Sequence, residues 1–251
     1  MTTKLNPNVD SFQEDVLLNG GYQYTTNAPL SAQLANARLT QATLDIGIFE
    51  GKSLIDIGCG DGTYSFELVG KGKALDIVGI DPATEAICIA NQRAGNKNAT
   101  FKAASAYDLP FPDQHFDYAI LRGVLHHLEF PQKAIEESLR VAKEIIVIEP
   151  NGFNPVLKLI EKFSSYHRAH DEKSYTAWKL FDWVRKNNGT IEKVTFAGLV
   201  PFFSPPWMAR ICKIFEPLVE RLPIVRRICC AVCVFRAKSS HQKTTEKKEA
   251  A

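Results

Sequence analysis

The chain has 251 residues, of which 45% are hydrophobic, so it can bury one full core and we expect a single domain. Its formal net charge of +2 excludes a general polyanion-binding surface, and we expect no nucleic-acid partner. The longest apolar run, residues 228–235, is far shorter than the ~20 residues that a membrane span needs. The first residues lack the apolar segment of a secretory signal, which predicts a cytoplasmic protein.

The two ends of the chain differ from its middle. Residues 1–20 show little pattern, and we expect a flexible N-terminus there. One domain is predicted over residues 21–238, and it begins with an amphipathic helix over residues 31–49. The basic residues 239–251 predict a disordered, solvated tail.

A glycine-rich turn follows the first predicted strand. Residues 54–57 are an apolar, branched run that is typical of a short buried strand, and a helix is predicted from Thr63, capped by Asp61 or Thr63 itself. Between them lie three glycines, Gly58, Gly60 and Gly62. A strand, such a turn and a helix N-terminus let bare backbone approach a nucleotide-like ligand.

The spacing of these glycines decides between ligands. A dinucleotide-binding fingerprint has the form G-x-G-x-x-G, and its third glycine would fall at Thr63. Here the pattern is G-x-G-x-G, with the acid Asp56 two residues before the first glycine. The second predicted strand, residues 74–80, ends at Asp81-Pro82, and Asp81 lies nineteen residues after Gly62. That separation is near the ~20 residues at which a βαβ unit places an acid on a ribose.

Two further blocks follow in order. A third strand is predicted over residues 99–104, followed by Ser105, Ala106 and Tyr107 and then by Leu-Pro-Phe and Phe-Asp within residues 109–117. A fourth strand over residues 116–121, ending at Leu121, leads into Val-Leu-His-His at residues 124–127. A helix over residues 132–142 and a strand over residues 145–148 come next.

Together these motifs resemble those of the class I S-adenosylmethionine-dependent methyltransferases. The glycine turn with Asp56 is similar to motif I, and residues 105–117 are similar to the family's acid-Ala-x-x-Leu-Pro-Phe block. The Val-Leu-His-His stretch resembles the branch that contains ubiquinone and menaquinone methyltransferases. Two departures stand out: Ser105 replaces the acid that meets the adenine amino group, and the Lys-Pro-Gly-Gly turn is shortened at residues 141–144.

The resemblance implies an α/β fold, with a Rossmann-like seven-stranded sheet that is mostly parallel, has an antiparallel last strand and carries helices on both faces. It also implies S-adenosyl-L-methionine as the cofactor. Tyr22 or Tyr24 could reach the cofactor from the N-terminal segment. An N-terminal helix that only lies on the surface, without touching the cofactor, is an equally consistent alternative. The cofactor-binding residues that the resemblance implies are Asp56, Gly58, Gly60, Gly62, Asp81, Pro82, Ser105, Ala106, Tyr107 and Leu121.

The C-terminal third matches the family only in its order of elements. Helices are predicted over residues 155–164 and 174–187, a strand over residues 191–199, and a helical insertion at about 205–223. The last strand is predicted over residues 228–235. Odd spacing along that strand puts Cys230 and Cys233 on opposite faces, so we expect core cysteines and no metal.

The reaction that follows is transfer of a methyl group to a small-molecule acceptor. His126, just beyond a strand end, is the candidate base, and a capping or packing role is the alternative. His127, His167 and His170 are further candidates. The Pro-Pro-Trp at residues 205–207 resembles a motif of nucleic-acid amino methyltransferases, but that motif directly follows the fourth strand, so we set the match aside.

The acceptor is predicted to be lipid-like or quinone-like, because the insertion is apolar on one face. Within the insertion we expect Phe215 to be buried and Trp207 to be partly exposed. Two explanations of the apolar face are open: packing on the sheet, or peripheral membrane contact through residues 205–223. Methylation of a sugar or another polar metabolite, or a non-catalytic cofactor-binding partner protein, are the alternatives.

Overall fold

The computed structural model describes residues 25, 28–95, 97–163 and 173–240 of the chain. Its strands and helices alternate through most of this length. The strands are β1 Ser53–Ile57, β2 Asp76–Asp81, β3 Ala99–Ala103, β4 Phe116–Arg122, β5 Ala142–Pro150, β6 Gly189–Ala197 and β7 Val232–Ser239. The helices are α1 Leu30–Ile46, α2 Thr63–Gly70, α3 Thr84–Ala94, α4 Pro131–Val141, α5 Pro155–Phe163, α6 Ala177–Lys186, α7 Pro206–Arg221 and α8 Pro223–Cys229. The predictions for Tyr22, Tyr24, His167 and His170 lie outside the described residues.

The seven strands form one sheet in the order β3-β2-β1-β4-β5-β7-β6. Neighbouring strands from β3 to β5 pair in parallel, and β7 runs antiparallel to both β5 and β6. The sequence alternates strands with helices, and parallel neighbours need such crossovers. The predicted Rossmann-like sheet with its antiparallel last strand is therefore confirmed.

Two apolar cores lie on the two faces of the sheet. Alternate residues of a strand point to opposite faces, so Ile55 and Ile57 pack in one core while Leu54 packs in the other. Helices cover both faces, and for this reason the central strands are apolar throughout rather than alternating with polar residues.

The order of the strands fixes where a ligand can bind. The chain runs outward from β1 through β2 to β3 and then returns to β4 on the other side of β1. Such a reversal leaves a crevice at the carboxyl ends of the strands, which is where ligands bind in open α/β sheets. The loops after β1, β2, β3, β4 and β5 all open on this edge, called here the carboxyl edge.

Helix α7 has the predicted bounds but not the predicted orientation. Phe215, expected to be buried, is 53% exposed, whereas Trp207, expected to be partly exposed, is 63% exposed. The residues that face the body are instead Ala209 and Glu216, both buried. Glu216 accepts a hydrogen bond from the Leu199 backbone N–H, which holds the helix to the end of β6 by its polar side.

The cysteine-rich run is also corrected. Helix α8 continues to Cys229, Cys230 follows it with an extended backbone, and β7 begins only at Val232. Cys230 and Cys233 are fully buried, as expected of core cysteines, but Cys229 is exposed. The predicted tail does not begin at residue 239, since Ser239 is a buried member of β7. In the described part of the chain, no helix is both long and apolar enough to cross a bilayer.

Candidate active site

The glycine turn after β1 adopts a conformation that side chains disfavour. Gly58, Gly60 and Gly62 have φ values of 75°, 54° and 76°. These lie in the left-handed region, which glycine enters at no steric cost. A Cβ atom on Gly58 would also come within 2.4 Å of a methyl group of Val124, so the turn packs directly against the loop after β4.

The helix cap differs in detail from the prediction. Gly62 is the N-cap residue of α2 and provides no side-chain bond. Asp61 instead uses one carboxylate oxygen to accept the Thr63 N–H at 3.1 Å. Its other oxygen accepts hydrogen bonds from Arg93 and from the hydroxyl of Thr25, both at 2.8 Å. Thr25 is thus a contact of the glycine turn from the chain ahead of α1.

Asp81, at the end of β2, holds the other side of the same turn. Its carboxylate accepts the backbone N–H of Gly60 at 3.0 Å and of Ala83 at 2.8 Å. Burial raises the pKa of this carboxyl, while the two backbone hydrogen bonds act in the opposite direction. Each oxygen keeps a second lone pair, so the carboxylate can still accept from two hydroxyl groups.

Asp56 is the penultimate residue of β1, just before the glycine turn. It is 4% exposed and accepts a hydrogen bond from the hydroxyl of Ser65. Burial raises its pKa to about 6, with Ser65 and the nearby Arg122 guanidinium limiting the rise. Asp56 therefore lines a small cavity as a carboxyl group that is costly to ionise, beside Thr40, Tyr64 and Arg122.

Arg122, the last residue of β4, is a site residue that the sequence did not reveal. Its guanidinium donates to the Thr40 hydroxyl at 2.8 Å and to the backbone carbonyl of Asn36 at 3.1 Å, and it lies 3.6 Å from the centre of the Tyr64 ring. Burial lowers its pKa. Arg122 thus fastens α1 and α2 over the end of β4. A single arginine after a strand carries no motif that could have predicted these contacts.

The predicted adenine-binding loop lies after β3. Ser105 is exposed, and its hydroxyl already accepts the Tyr107 N–H at 3.2 Å. The Tyr107 hydroxyl accepts the Phe130 N–H at 3.2 Å, which connects this loop to the start of α4. Ala106 is half-buried against the core.

Pro82 and Leu121 take opposite positions with respect to solvent. Pro82 is exposed between β2 and α3. Leu121 is fully buried in β4, so only its backbone could contact a ligand.

His126 forms the most distinctive contact of the site. Its Nδ1 atom lies 2.8 Å from a carboxylate oxygen of Glu149, the penultimate residue of β5. The other oxygen of Glu149 accepts the N–H groups of Val124 and Leu125, both at 2.8 Å. Glu149 is fully buried, and the His126 side chain is 11% exposed. The sequence identified His126 but missed Glu149, whose only signal is an acid at the end of a buried strand.

The remaining prediction concerns metals. Within the described ranges, no three His, Cys, Asp or Glu side chains come together in a way that could hold a metal ion. The site described above consists of backbone N–H groups, the buried acids Asp56, Asp61, Asp81 and Glu149, the Arg122 guanidinium and the oriented imidazole of His126.

Comparison with known proteins agrees with this geometry. The model of a family described as "Methyltransferase domain" matches residues 48–193, more than half of the chain. The chain belongs to this methyltransferase family. It contains an S-adenosylmethionine-dependent methyltransferase domain, and S-adenosylmethionine is the cofactor of that domain.

Two curated relatives illustrate the range of the family. The methyltransferase is 32% identical over 187 residues to a demethylmenaquinone methyltransferase of Clavibacter sepedonicus, covering 64% of this chain and 74% of the relative. It is 28% identical over 190 residues to a tRNA U34 carboxymethyltransferase of Shewanella halifaxensis, covering 70% of this chain and 55% of the relative. The chain spans only about a third to a half of the length of the first relatives found.

A solved structure shows how far the fold extends. The [4+2]-cyclase SpnF superimposes with a TM-score of 0.65 at 21% identity, over 92% of this chain and 93% of that one. At this identity the similarity concerns the fold alone. The sheet with its two covered faces is therefore shared well beyond the residues that the family model matches.

Proposed function

We propose that this methyltransferase acts on a small lipid-like or quinone-like acceptor and that His126 removes the acceptor's proton. The observation that carries the proposal is the contact between His126 and Glu149. A carboxylate only accepts hydrogen bonds, so a neutral His126 donates from Nδ1, and Nε2 is left as the basic nitrogen. A base oriented by a buried carboxylate is an arrangement that recurs in enzymes using general base catalysis.

The cofactor is proposed to lie along the carboxyl edge, over the glycine turn. The positive φ values of the turn and its contact with Val124 leave room for backbone but not for a side chain. In this proposal Asp81 accepts the two ribose hydroxyls, and Ser105, Ala106 and Tyr107 line the adenine. Pro82 shapes the turn after β2, and Leu121 contributes only its backbone.

The chemistry divides simply between cofactor and protein. When bound, S-adenosylmethionine supplies an electrophilic methyl group on a sulfonium. The chain holds the acceptor in line and excludes water, and His126 takes a proton where the acceptor has one to lose. Val124 packs on Gly58, which brings the loop that carries His126 next to the glycine turn.

The apolar nature of the acceptor rests on two observations. Helix α5, which follows β5 at the carboxyl edge, exposes Val156 and Leu159 by 59% and 57%. This chain covers 74% of the length of one relative, the demethylmenaquinone methyltransferase. Both favour the quinone-type branch over a polar metabolite. Because one relative is a tRNA carboxymethyltransferase, tRNA is included as an alternative acceptor in the test. A net charge of +2 gives little support to polyanion binding.

The experiment uses cofactor labelled in its methyl group and three separate acceptor pools. These are a detergent-solubilised total lipid extract, an aqueous small-molecule extract and total tRNA. We expect label in the lipid pool with the wild type, and a loss of at least a hundredfold with His126→Asn, in line with the contribution of a general base. Label in the aqueous or tRNA pool alone would contradict the proposed acceptor class.

A further inference from the structure

Helix α7 does not have the orientation expected of an amphipathic helix that only packs on the protein. Its large apolar side chains face solvent, whereas a packed surface helix buries them. Ile214 is 73% exposed, Leu218 57% and Ile211 48%. With α8 they form an apolar ridge, which consists of Trp207, Ile211, Ile214, Phe215, Leu218, Leu222, Ile224 and Ile228.

The polar side of α7 is what attaches it to the body. Glu216 is 2% exposed and accepts the Leu199 N–H at 3.0 Å. Glu220 accepts the Gly198 N–H at 2.8 Å and forms a two-pronged ion pair with Arg38 of α1. Buried, charge-assisted hydrogen bonds of this kind fix the rotation of the helix, so the outward position of the ridge is built into the fold.

The exposed charges around the ridge have one sign. Between residues 201 and 229 the two acids, Glu216 and Glu220, are both engaged with the body. The exposed charged residues of this stretch are basic: Arg210, Arg221 and Arg227. An apolar face with a tryptophan, bordered by arginines, is the pattern of a helix that lies in the interface of an anionic bilayer.

The position of the ridge connects it to the site. Helices α7 and α8 lie between the end of β6 and the start of β7, where Ala197 pairs with Val232. Val232 also pairs with Pro150, the last residue of β5, so this junction belongs to the carboxyl edge. An acceptor leaving a bilayer at the ridge would therefore enter on the side of the sheet where His126 lies.

We propose that the apolar ridge of α7 and α8 docks the enzyme on the surface of a bilayer that contains anionic lipid. The proposal deepens the lipid-like acceptor class proposed above and rests on it. A second copy of the chain is the competing occupant, but a two-fold symmetric contact would place two arginine-bordered faces of the same sign against each other. Anionic headgroups instead complement those charges.

The test measures sedimentation of the full chain with vesicles of phosphatidylcholine, with and without phosphatidylglycerol. We expect binding only to the anionic vesicles, and binding that weakens as salt is added. The variant Ile214→Ser with Phe215→Ser should bind at least tenfold more weakly. Its melting temperature and cofactor affinity should not change, because both side chains are exposed in the wild type.

A matched control lies at the opposite edge of the sheet. Ile48 and Leu75 precede β1 and β2 and are 69% and 56% exposed, close to the 73% and 53% of Ile214 and Phe215. Replacing both with serine should leave vesicle binding unchanged. Equal losses of vesicle binding in the two double variants would overturn the proposed docking surface. A wild type that does not bind anionic vesicles would overturn it as well.

Two further results separate the occupants and the hypotheses. A dimer in sedimentation that the Ile214→Ser, Phe215→Ser variant dissociates would overturn bilayer docking in favour of a second copy. If the protein binds no vesicles but label still enters the solubilised lipid pool, the docking proposal is overturned and the proposed function stands. Retained vesicle binding with label only in an aqueous pool instead overturns the acceptor class.

Discussion

Glu149 accepts three hydrogen bonds from the loop after β4, and one of them comes from Nδ1 of His126 at 2.8 Å. The other two, from the N–H groups of Val124 and Leu125, hold the backbone that carries the imidazole. One fully buried side chain thus sets both the position of the loop and the tautomer of the ring. This coupling makes Glu149 a positioning residue whose effect can be tested separately from that of His126.

We expect Glu149→Gln to lower kcat by about 10²–10⁴-fold, the range of a general base. The amide oxygen can still accept from Val124 and Leu125, but the amide nitrogen then faces His126. Nδ1 would become the acceptor and Nε2 the protonated nitrogen, so the ring could no longer take a proton there. Single-turnover rates with methyl-labelled cofactor measure the loss.

The control for this prediction is cofactor affinity, measured by calorimetry on the same variants. It should stay within a few-fold of the wild type for Glu149→Gln and His126→Asn, because neither side chain is part of the proposed cofactor cradle. The two substitutions should be strongly non-additive when combined, as is expected of groups that act as one unit. Fully additive losses would mean that Glu149 serves only to hold the loop.

Asp81→Asn should weaken S-adenosylmethionine binding by at least tenfold. Each hydrogen bond to a charged group contributes about 1.5–3 kcal/mol, and the variant loses the charge while placing an amide N–H₂ against the N–H of Gly60 or Ala83. The matched control is Asp76→Asn, an exposed acid at the other end of β2. Unchanged affinity in a folded Asp81 variant would show that the ribose is held elsewhere.

Local patterns were sufficient to predict the frame of the molecule. The glycine turn, the acids Asp56 and Asp81 and the alternation of strands and helices are short-range features, since turn geometry and strand burial depend on adjacent residues. Crossover connections between parallel strands place the carboxyl ends of β1 to β5 at one edge, whereas the antiparallel last strand was expected only from the family resemblance. These signals were enough to predict the sheet and the position of its carboxyl edge.

Contacts between distant residues were not predictable in the same way. Glu149 and His126 are 23 residues apart, and nothing in either sequence neighbourhood indicates that the two side chains meet. The spacing of apolar residues in α7 showed that one face is apolar but not which way it points. That direction is fixed by Glu216 and Glu220, which bond to backbone N–H groups after β6 and which resemble ordinary solvent-facing acids in the sequence.

Gly58→Ala should unfold the glycine turn locally and abolish tight cofactor binding. Its φ of 75° costs a non-glycine residue about 1–2 kcal/mol, and overpacking of the new methyl group against Val124 adds about 1–3 kcal/mol. Gly51→Ala is the matched control, since Gly51 has a φ of 69° but open space around its Cβ position. Urea unfolding should show the smaller loss there, with cofactor affinity kept.

A second substitution isolates the steric part of this effect. Val124→Ala removes the methyl groups that approach Gly58 most closely, so combining it with Gly58→Ala should restore part of the lost stability but not the part due to φ. If the double variant is no more stable than Gly58→Ala alone, the close approach of the two loops does not limit the turn.

Asp56→Asn should change how stability depends on pH. Burial raises the pKa of Asp56 from the ordinary 3.8 to about 6 in the folded chain, so between these values the folded state binds more protons than the unfolded state. Stability then falls as the pH rises through this window, by at most about 3 kcal/mol, and the penalty is complete above it. Asparagine does not ionise and can still accept the hydrogen bond from Ser65, so the variant does not lose this stability as the pH rises.

Urea unfolding of both proteins at a series of pH values from 4 to 8 measures the difference. The free energy of unfolding of the variant, relative to that of the wild type, should rise from pH 4 to about pH 7 and then stay level, because Asp56 is fully ionised above its raised pKa. The exposed Asp76→Asn should follow the wild-type curve throughout. Parallel curves for Asp56→Asn and the wild type would show that Asp56 ionises freely in the folded chain and that Arg122 compensates its burial in full.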